Sequence, residues 1–140
     1  MKYWDSSALF PLIVEQAATA GLRRIALEDP ATATWWGSTV ECASAVARLA
    51  REGMLTREAQ ATALERLRAA MSVWTELTPS RDVREHAMRM VRVHPLRAAD
   101  ALHLAAALVA SDFDPGTLDF VTLDSRQAEA AEAEGFRVIA

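Results

Sequence analysis

Leu118-Asp119-Phe120-Val121-Thr122-Leu123-Asp124-Ser125-Arg126-Gln127 is the stretch on which the reading of the fold turns. Leu118–Leu123 is apolar, β-branched and aromatic, the composition of a buried strand. Asp124 follows at once, and Gln127 stands at the capping-box spacing from it, so a helix runs from here to Glu134. Gly135 ends that helix, and Phe136–Ile139 reads as a final strand. Strand, helix and strand in direct succession is the alternation of a parallel sheet.

The same alternation extends back to the N-terminus. Lys2–Trp4 reads as a first strand ending at Asp5. Ser6 or Ser7 then caps a helix through about Gln16, with Pro11 tolerated near its first turn. A second helix runs from about Ala17 to Glu28, where Asp29-Pro30 stops it. Thr32–Trp36 suits a second strand, and Gly37-Ser38 starts a helix to about Arg51 with Glu41 in its first turn. Gly53 ends that helix, Thr56 caps another to about Ala70, and Val73–Leu77 is a short strand. Pro79-Ser80 opens a helix to about Arg92, interrupted by His94-Pro95. Leu96 to Ser111 is a further helix with Leu102, Ala106 and Val109 as its apolar face, followed by an Asp114-Pro115-Gly116 turn. The expectation is one domain over residues 1–140, a three-layer α/β/α fold around a central, mostly parallel sheet. Right-handed crossovers then bring the C-terminal ends of the strands to one edge, where ligand sites form.

The bulk numbers fit this reading. A chain of 140 residues with 51% hydrophobic and 24% charged residues buries a core without staples. Cys42 is the only cysteine, so no internal disulfide forms, a reducing compartment is expected, and the thiol reads as a small buried hydrophobe. Asp5 and Glu15 interrupt the faint signal-like N-terminus, and Ala98–Ala110 is too short to span a bilayer, so no membrane association and a cytoplasmic location are expected. The net charge of −4 does not advertise nucleic-acid binding. The distribution is uneven, however: residues 98–140 are strongly acidic, whereas Arg81–Arg97 holds five arginines and two histidines against Asp82 and Glu85. Lys2 is the only lysine. That excludes phosphoryl-accepting receiver domains, which need a late-strand lysine, P-loop enzymes and lysine-dependent nucleases. A haloacid-type phosphatase would want a second acid two residues after the first, where Ser7 stands.

Three acids map to the ligand edge from these elements alone. Asp5 and Asp124 each follow a strand, and Glu41 begins the helix after another. Taken singly each has a structural explanation, as a helix cap or a favourable first-turn charge. Asp100 is different, because it interrupts the apolar run Ala98-Ala99 and Ala101-Leu102 on a helix expected to be buried. Crowded carboxylates repel one another unless a cation offsets them, and hard oxygen ligands suit Mg²⁺ or Mn²⁺. An acidic cluster at this edge is what metal-assisted phosphodiester cleavage needs.

Lys2-Tyr3-Trp4-Asp5-Ser6-Ser7-Ala8-Leu9 resembles the opening of a PIN domain, specifically of VapC-type toxins. Arg97-Ala98-Ala99-Asp100-Ala101-Leu102-His103-Leu104-Ala105 resembles that family's third-acid helix. Phe120-Val121-Thr122-Leu123-Asp124, with Ala130-Ala131 and Gly135 beyond it, fits as well, and Thr39-Val40-Glu41 takes the second-acid position. The resemblance implies a metal-dependent endoribonuclease toxin that cleaves RNA and is neutralised by a cognate VapB-type antitoxin. It implies that Asp5, Glu41, Asp100 and Asp124 hold Mg²⁺ or Mn²⁺, and that the protein forms a homodimer. An antitoxin segment would lie in a groove among the N-terminal helices, with Leu9, Leu12, Leu49 and Trp36 as candidate walls. Ser6, Ser7 and Thr122 would orient carboxylates or water, Asp119 is a possible extra acid, and His103 is expected to be structural. The alternative is a PIN-fold adaptor that binds without catalysis.

Overall fold

The computed structural model describes residues 1–139. Its strands are β1 (Lys2–Trp4), β2 (Thr32–Trp35), β3 (Thr75–Leu77), β4 (Asp119–Val121) and β5 (Val138–Ile139). They pair in the order β3-β2-β1-β4-β5, and every pairing is parallel. The helices are α1 (Ser6–Ile13), α2 (Thr19–Glu28), α3 (Ser38–Arg51), α4 (Arg57–Met71), α5 (Arg81–Val93), α6 (Ala98–Ala110) and α7 (Ser125–Ala133).

Strand side chains alternate between faces, and the two hydrophobic clusters separate accordingly. Tyr3 and Phe120 point to one face, where α5, α6 and α7 supply Val83, Met90, Leu104 and Ala131. Trp4 and Val121, their neighbours in sequence, point to the other, where α1 to α4 supply Leu9, Leu22, Val46 and Leu67. Helices on both faces of a parallel sheet make the three-layer α/β/α fold expected from the sequence.

Several local expectations shift. The first helix stops at Ile13 instead of continuing to Gln16, and the second begins at Thr19. Thr19 is the reason: its buried hydroxyl donates to the Pro11 carbonyl at 2.7 Å and accepts from the Gln16 backbone N–H at 2.8 Å. The third strand starts at Thr75, two residues later than Val73. On α6 the buried residues are Ala101 and then His103 to Leu108, while Leu102 and Val109 are only partly buried. The apolar face is therefore wider than Leu102, Ala106 and Val109. The small alanines explain it, because they let α6 sit close to the sheet and bury most of its circumference. Asp124 caps α7 by accepting from the Arg126 and Gln127 backbone N–H groups, but Gln127 does not close a capping box. Its amide nitrogen donates to the Asp100 carbonyl at 3.1 Å instead.

One ion-pair cluster ties the α5 side of the molecule to the end of α7. Arg89 makes two bonds to Glu134, at 3.0 and 2.5 Å, and His94 Nε2 lies 2.6 Å from the same carboxylate. The Arg89 hydrogen bonds hold the Glu134 carboxyl below the usual range against the opposing effect of burial. Glu134→Ala is expected to lower stability at neutral pH by about 2 kcal/mol. A depressed carboxyl contributes stability above its unfolded pKa, near 4.3, and that stability is lost as the pH falls through the lower folded value. Denaturant melts at neutral and acid pH should therefore show the difference from the unsubstituted protein closing in acid. A difference independent of pH would contradict it.

Candidate functional site

Asp5 lies between the end of β1 and the start of α1, and it is 4% exposed. It, not Ser6 or Ser7, caps the helix, by accepting from the Ala8 backbone N–H. The two serine hydroxyls are thereby free for other carboxylates. Ser7 donates to Asp5 Oδ1 at 2.7 Å, and Ser6 donates to Glu41 Oε2 at 3.0 Å. Thr122, at the end of β4, donates to Asp5 Oδ2 at 2.8 Å and accepts from the Asp124 backbone N–H at 3.0 Å. One buried hydroxyl thus joins the ends of two adjacent strands and the acids that follow them.

Glu41 sits in the first turn of α3, where the entry is rigid. Thr34 donates to the Trp4 carbonyl at 2.7 Å and meets the Ser38 hydroxyl at 2.6 Å, fastening the start of α3 to the end of β1. Gly37 suits the close approach there, because a Cβ would lie 2.6 Å from the Trp35 indole nitrogen and would make that side chain shift. The second Glu41 oxygen faces His103 Nε2 at 2.8 Å, and His103 Nδ1 faces the Tyr3 hydroxyl at 3.1 Å.

Asp100, in the first turn of α6, shares a pocket of about 590 Å³ with Asp124. Arg97 and Arg126 line the same pocket. Neither guanidinium is held in a salt bridge among the described residues.

The electrostatics of these acids follow from their surroundings. Burial pushes the Asp5 carboxyl above the usual range, although His103, Ser7, Thr122 and the Ala8 N–H all pull it back. Asp100 is also raised, first by desolvation and then by the Asp124 charge, with a smaller push from Glu41. Burial raises Glu41 too, but the His103 hydrogen bond, its electrostatic pull and Ser6 together bring it below the usual range. The Cys42 thiol is pushed up to about 12 by burial and by the Glu41 and Asp5 charges, so at neutral pH it is protonated.

The donor set that remains is hard oxygen, which fits Mg²⁺ or Mn²⁺ better than a soft metal. Among the described residues, no group of three or more His, Cys, Asp or Glu side chains is placed to hold an ion as it stands. The acids form an open rim: Asp5 and Glu41 are tied down by hydroxyls and His103, while Asp100 and the exposed Asp124 face the pocket.

Asp119 does not belong to this rim. It stands at the opposite end of β4 and pairs with Arg137 through two bonds, at 2.7 and 2.5 Å. The sequence reading assigned no site role to Thr34, Ser38, Gln127 or Tyr3. A threonine or serine beside each strand end is the signal that would have found the first two. Of the four side chains expected to wall an antitoxin groove, Leu12 and Leu49 are partly buried and Trp36 is exposed. Leu9 is fully buried, and none of Leu9, Leu12, Leu49 and Trp36 lines the groove of about 500 Å³ between the end of α1 and α4. Ile13, Val14, Leu55 and Ala59 line it, with Glu15 and Glu58 among its polar residues.

No family model matches the chain. Two relatives from Mycobacterium tuberculosis do match: ribonuclease VapC45 of strain CDC 1551 / Oshkosh and ribonuclease VapC49 of strain ATCC 25618 / H37Rv. Each is 32% identical over 148 residues, covering 97% of this chain and 92% of the relative. Among solved structures, a toxin–antitoxin complex from Klebsiella pneumoniae aligns over 100% of this chain and 97% of its own, with a TM-score of 0.68 at 16% identity. PAE2754 from Pyrobaculum aerophilum aligns over 99% of this chain and 89% of its own, again with a TM-score of 0.68, at 24% identity. The two structures bear on the fold, and the two relatives extend the likeness to sequence over almost the whole length. The chain belongs to the VapC ribonuclease family.

Proposed function

We propose that this chain is an endoribonuclease toxin whose Asp5, Glu41, Asp100 and Asp124 hold Mg²⁺ or Mn²⁺. The observation that carries the reading is the pocket that Asp100 and Asp124 share, with the Asp5 carboxylate tied through Thr122 to the Asp124 backbone N–H. When bound, such an ion supplies a water activated for attack on phosphorus and screens charge on the leaving oxygen. Ser7 and Thr122 hold the Asp5 carboxylate, and Ser6 holds Glu41, so these two acids keep one orientation before RNA arrives. Arg97 and Arg126 flank the other two acids and offer guanidinium groups to the phosphates on either side of the bond to be cut.

The partners follow from the family. A VapB-type antitoxin would bury an apolar segment in the groove between α1 and α4. A homodimer and a cytoplasmic location complete the proposal; no helix among the described residues is long and apolar enough to cross a membrane.

The RNA part of the reading is tested by binding in an Asp100→Asn background. Single-stranded RNA affinity, measured by fluorescence anisotropy across a salt series, should fall linearly on a double-logarithmic plot. Replacing Arg97 or Arg126 by glutamine should each reduce the slope by about 0.7, one phosphate contact apiece. Unchanged slopes would mean that RNA does not run over this pocket.

A further inference from the structure

Four elements converge on the Glu41 carboxylate. Tyr3 comes from β1, His103 from α6, Glu41 itself from α3 and Ser6 from α1. Tyr3 and His103 are 0% and 1% exposed, so neither ring can touch RNA. The Tyr3 ring is fixed on both sides: it stacks on Phe120 with centroids 5.1 Å apart and meets His103 edge-on at 6.2 Å. Its hydroxyl therefore has one place to be, 3.1 Å from His103 Nδ1.

Donor and acceptor chemistry limits where the protons of this chain of contacts can sit. A carboxylate oxygen only accepts, so the proton in the 2.8 Å contact between His103 and Glu41 sits on Nε2. If the ring carries that one proton, Nδ1 is an acceptor with the tyrosine hydroxyl as its donor, whereas a doubly protonated ring would donate from Nδ1 to the tyrosine oxygen. The opposite tautomer would set Nε2 and Glu41 Oε1 face to face as two acceptors, which would drive the carboxylate away. Ser6 alone would then hold Glu41.

We propose that Tyr3 and His103 are positioning residues: Tyr3 selects the Nε2–H tautomer of His103, and His103 locks the Glu41 carboxylate in the orientation that the site uses. The inference rests on the reading of Glu41 as a metal ligand. Both residues act through Glu41, so their loss weakens metal binding without removing a ligand. A purely structural role would change stability and leave metal affinity alone.

The test uses the full chain and two readouts. Tyr3→Phe keeps the stacked ring and removes only the hydroxyl, His103→Leu removes the donor to Glu41, and His103→Gln keeps a donor nitrogen near Nε2. Calorimetry with Mn²⁺ should find affinity about 10-fold weaker in Tyr3→Phe and about 10–100-fold weaker in His103→Leu, with His103→Gln recovering most of the loss. Ring ¹⁵N shifts of His103 in the metal-free protein should show the proton on Nε2, and Tyr3→Phe should mix the tautomers. A proton on Nδ1 alone or on both nitrogens overturns the proposal, as does undiminished Mn²⁺ affinity in folded Tyr3→Phe. If the unsubstituted protein binds no Mn²⁺, the ligand reading of Glu41 fails, while the nitrogen shifts still decide whether Tyr3 sets the tautomer.

Discussion

Asp100→Asn is expected to slow RNA cleavage by about 10³-fold while leaving the fold intact. Charge stabilisation by a bound metal is worth several kcal/mol, and each factor of ten in rate corresponds to about 1.4 kcal/mol. Asparagine keeps the shape of the side chain but gives up the charge that would hold the cation. Without metal the same change should stabilise the protein. Desolvation, then the Asp124 charge, push the Asp100 carboxyl above the usual range. A raised acid withholds stability at neutral pH and returns it as the pH falls through the folded value. The metal-free melting temperature should therefore rise, by no more than about 3 °C because the group is partly exposed. Cleavage assays and thermal melts on the same preparation check both halves. A fall in melting temperature comparable to loss of a core side chain would make Asp100 a structural residue.

Asp5 should show a larger combined effect when replaced by alanine, because it holds two roles in one side chain. Asp5→Ala removes a ligand and, with it, the acceptor for the Ala8 N–H that caps α1 and for the Ser7 and Thr122 hydroxyls. Cleavage is expected to fall as far as in Asp100→Asn, and stability by about 2 kcal/mol from the lost cap and the stranded donors. Asp5→Asn separates the roles. It keeps one side-chain oxygen for the cap and removes the charge that burial disfavours, so cleavage should be lost at near-normal stability. Full activity in Asp5→Asn would reduce Asp5 to a cap. Equal destabilisation by asparagine and alanine would contradict the separation.

The alternation of strands and helices was legible because each strand is a short apolar run and each junction carries a turn or cap residue. Thr56 and Ser80 cap where expected, since their hydroxyls accept from the Ala59 and Val83 backbone N–H groups. Helix ends set by tertiary contacts were not legible. α1 and α2 are separated by what Thr19 does with Pro11, eight residues away in sequence, and nothing in the local pattern announces that bond. The turn after α6 is another case. Asp112 and Phe113 both adopt positive φ, of 51° and 62°, where a sequence reading looks for glycine, while the turn expected at Asp114-Pro115-Gly116 is present just beyond them as a 3₁₀ turn over Pro115–Thr117.

The acids illustrate the same division. Strand ends gave Asp5 and Asp124, and the first turn of a helix gave Glu41, because their positions depend on local order alone. The second ring of contacts depends on packing between layers. His103 was expected to be structural, and its two ring nitrogens do join Tyr3 of the sheet to Glu41 of α3, a pairing that local sequence does not announce. Gln127 was read as half of a capping box, yet it fastens α7 to the Asp100 carbonyl. Both are residues whose partners lie far along the chain, and both are 1% exposed.

The central claim is that the carboxylates act on RNA through a divalent cation. It is tested most directly by stripping the purified protein with EDTA, dialysing, and following cleavage of a labelled RNA while Mn²⁺ is titrated back. The protein should be silent when stripped and regain activity in proportion to bound Mn²⁺, and Asp100→Asn should stay silent throughout. Undiminished cleavage in EDTA, lost nonetheless in Asp100→Asn, would mean that these acids work without a metal, and the account would fall.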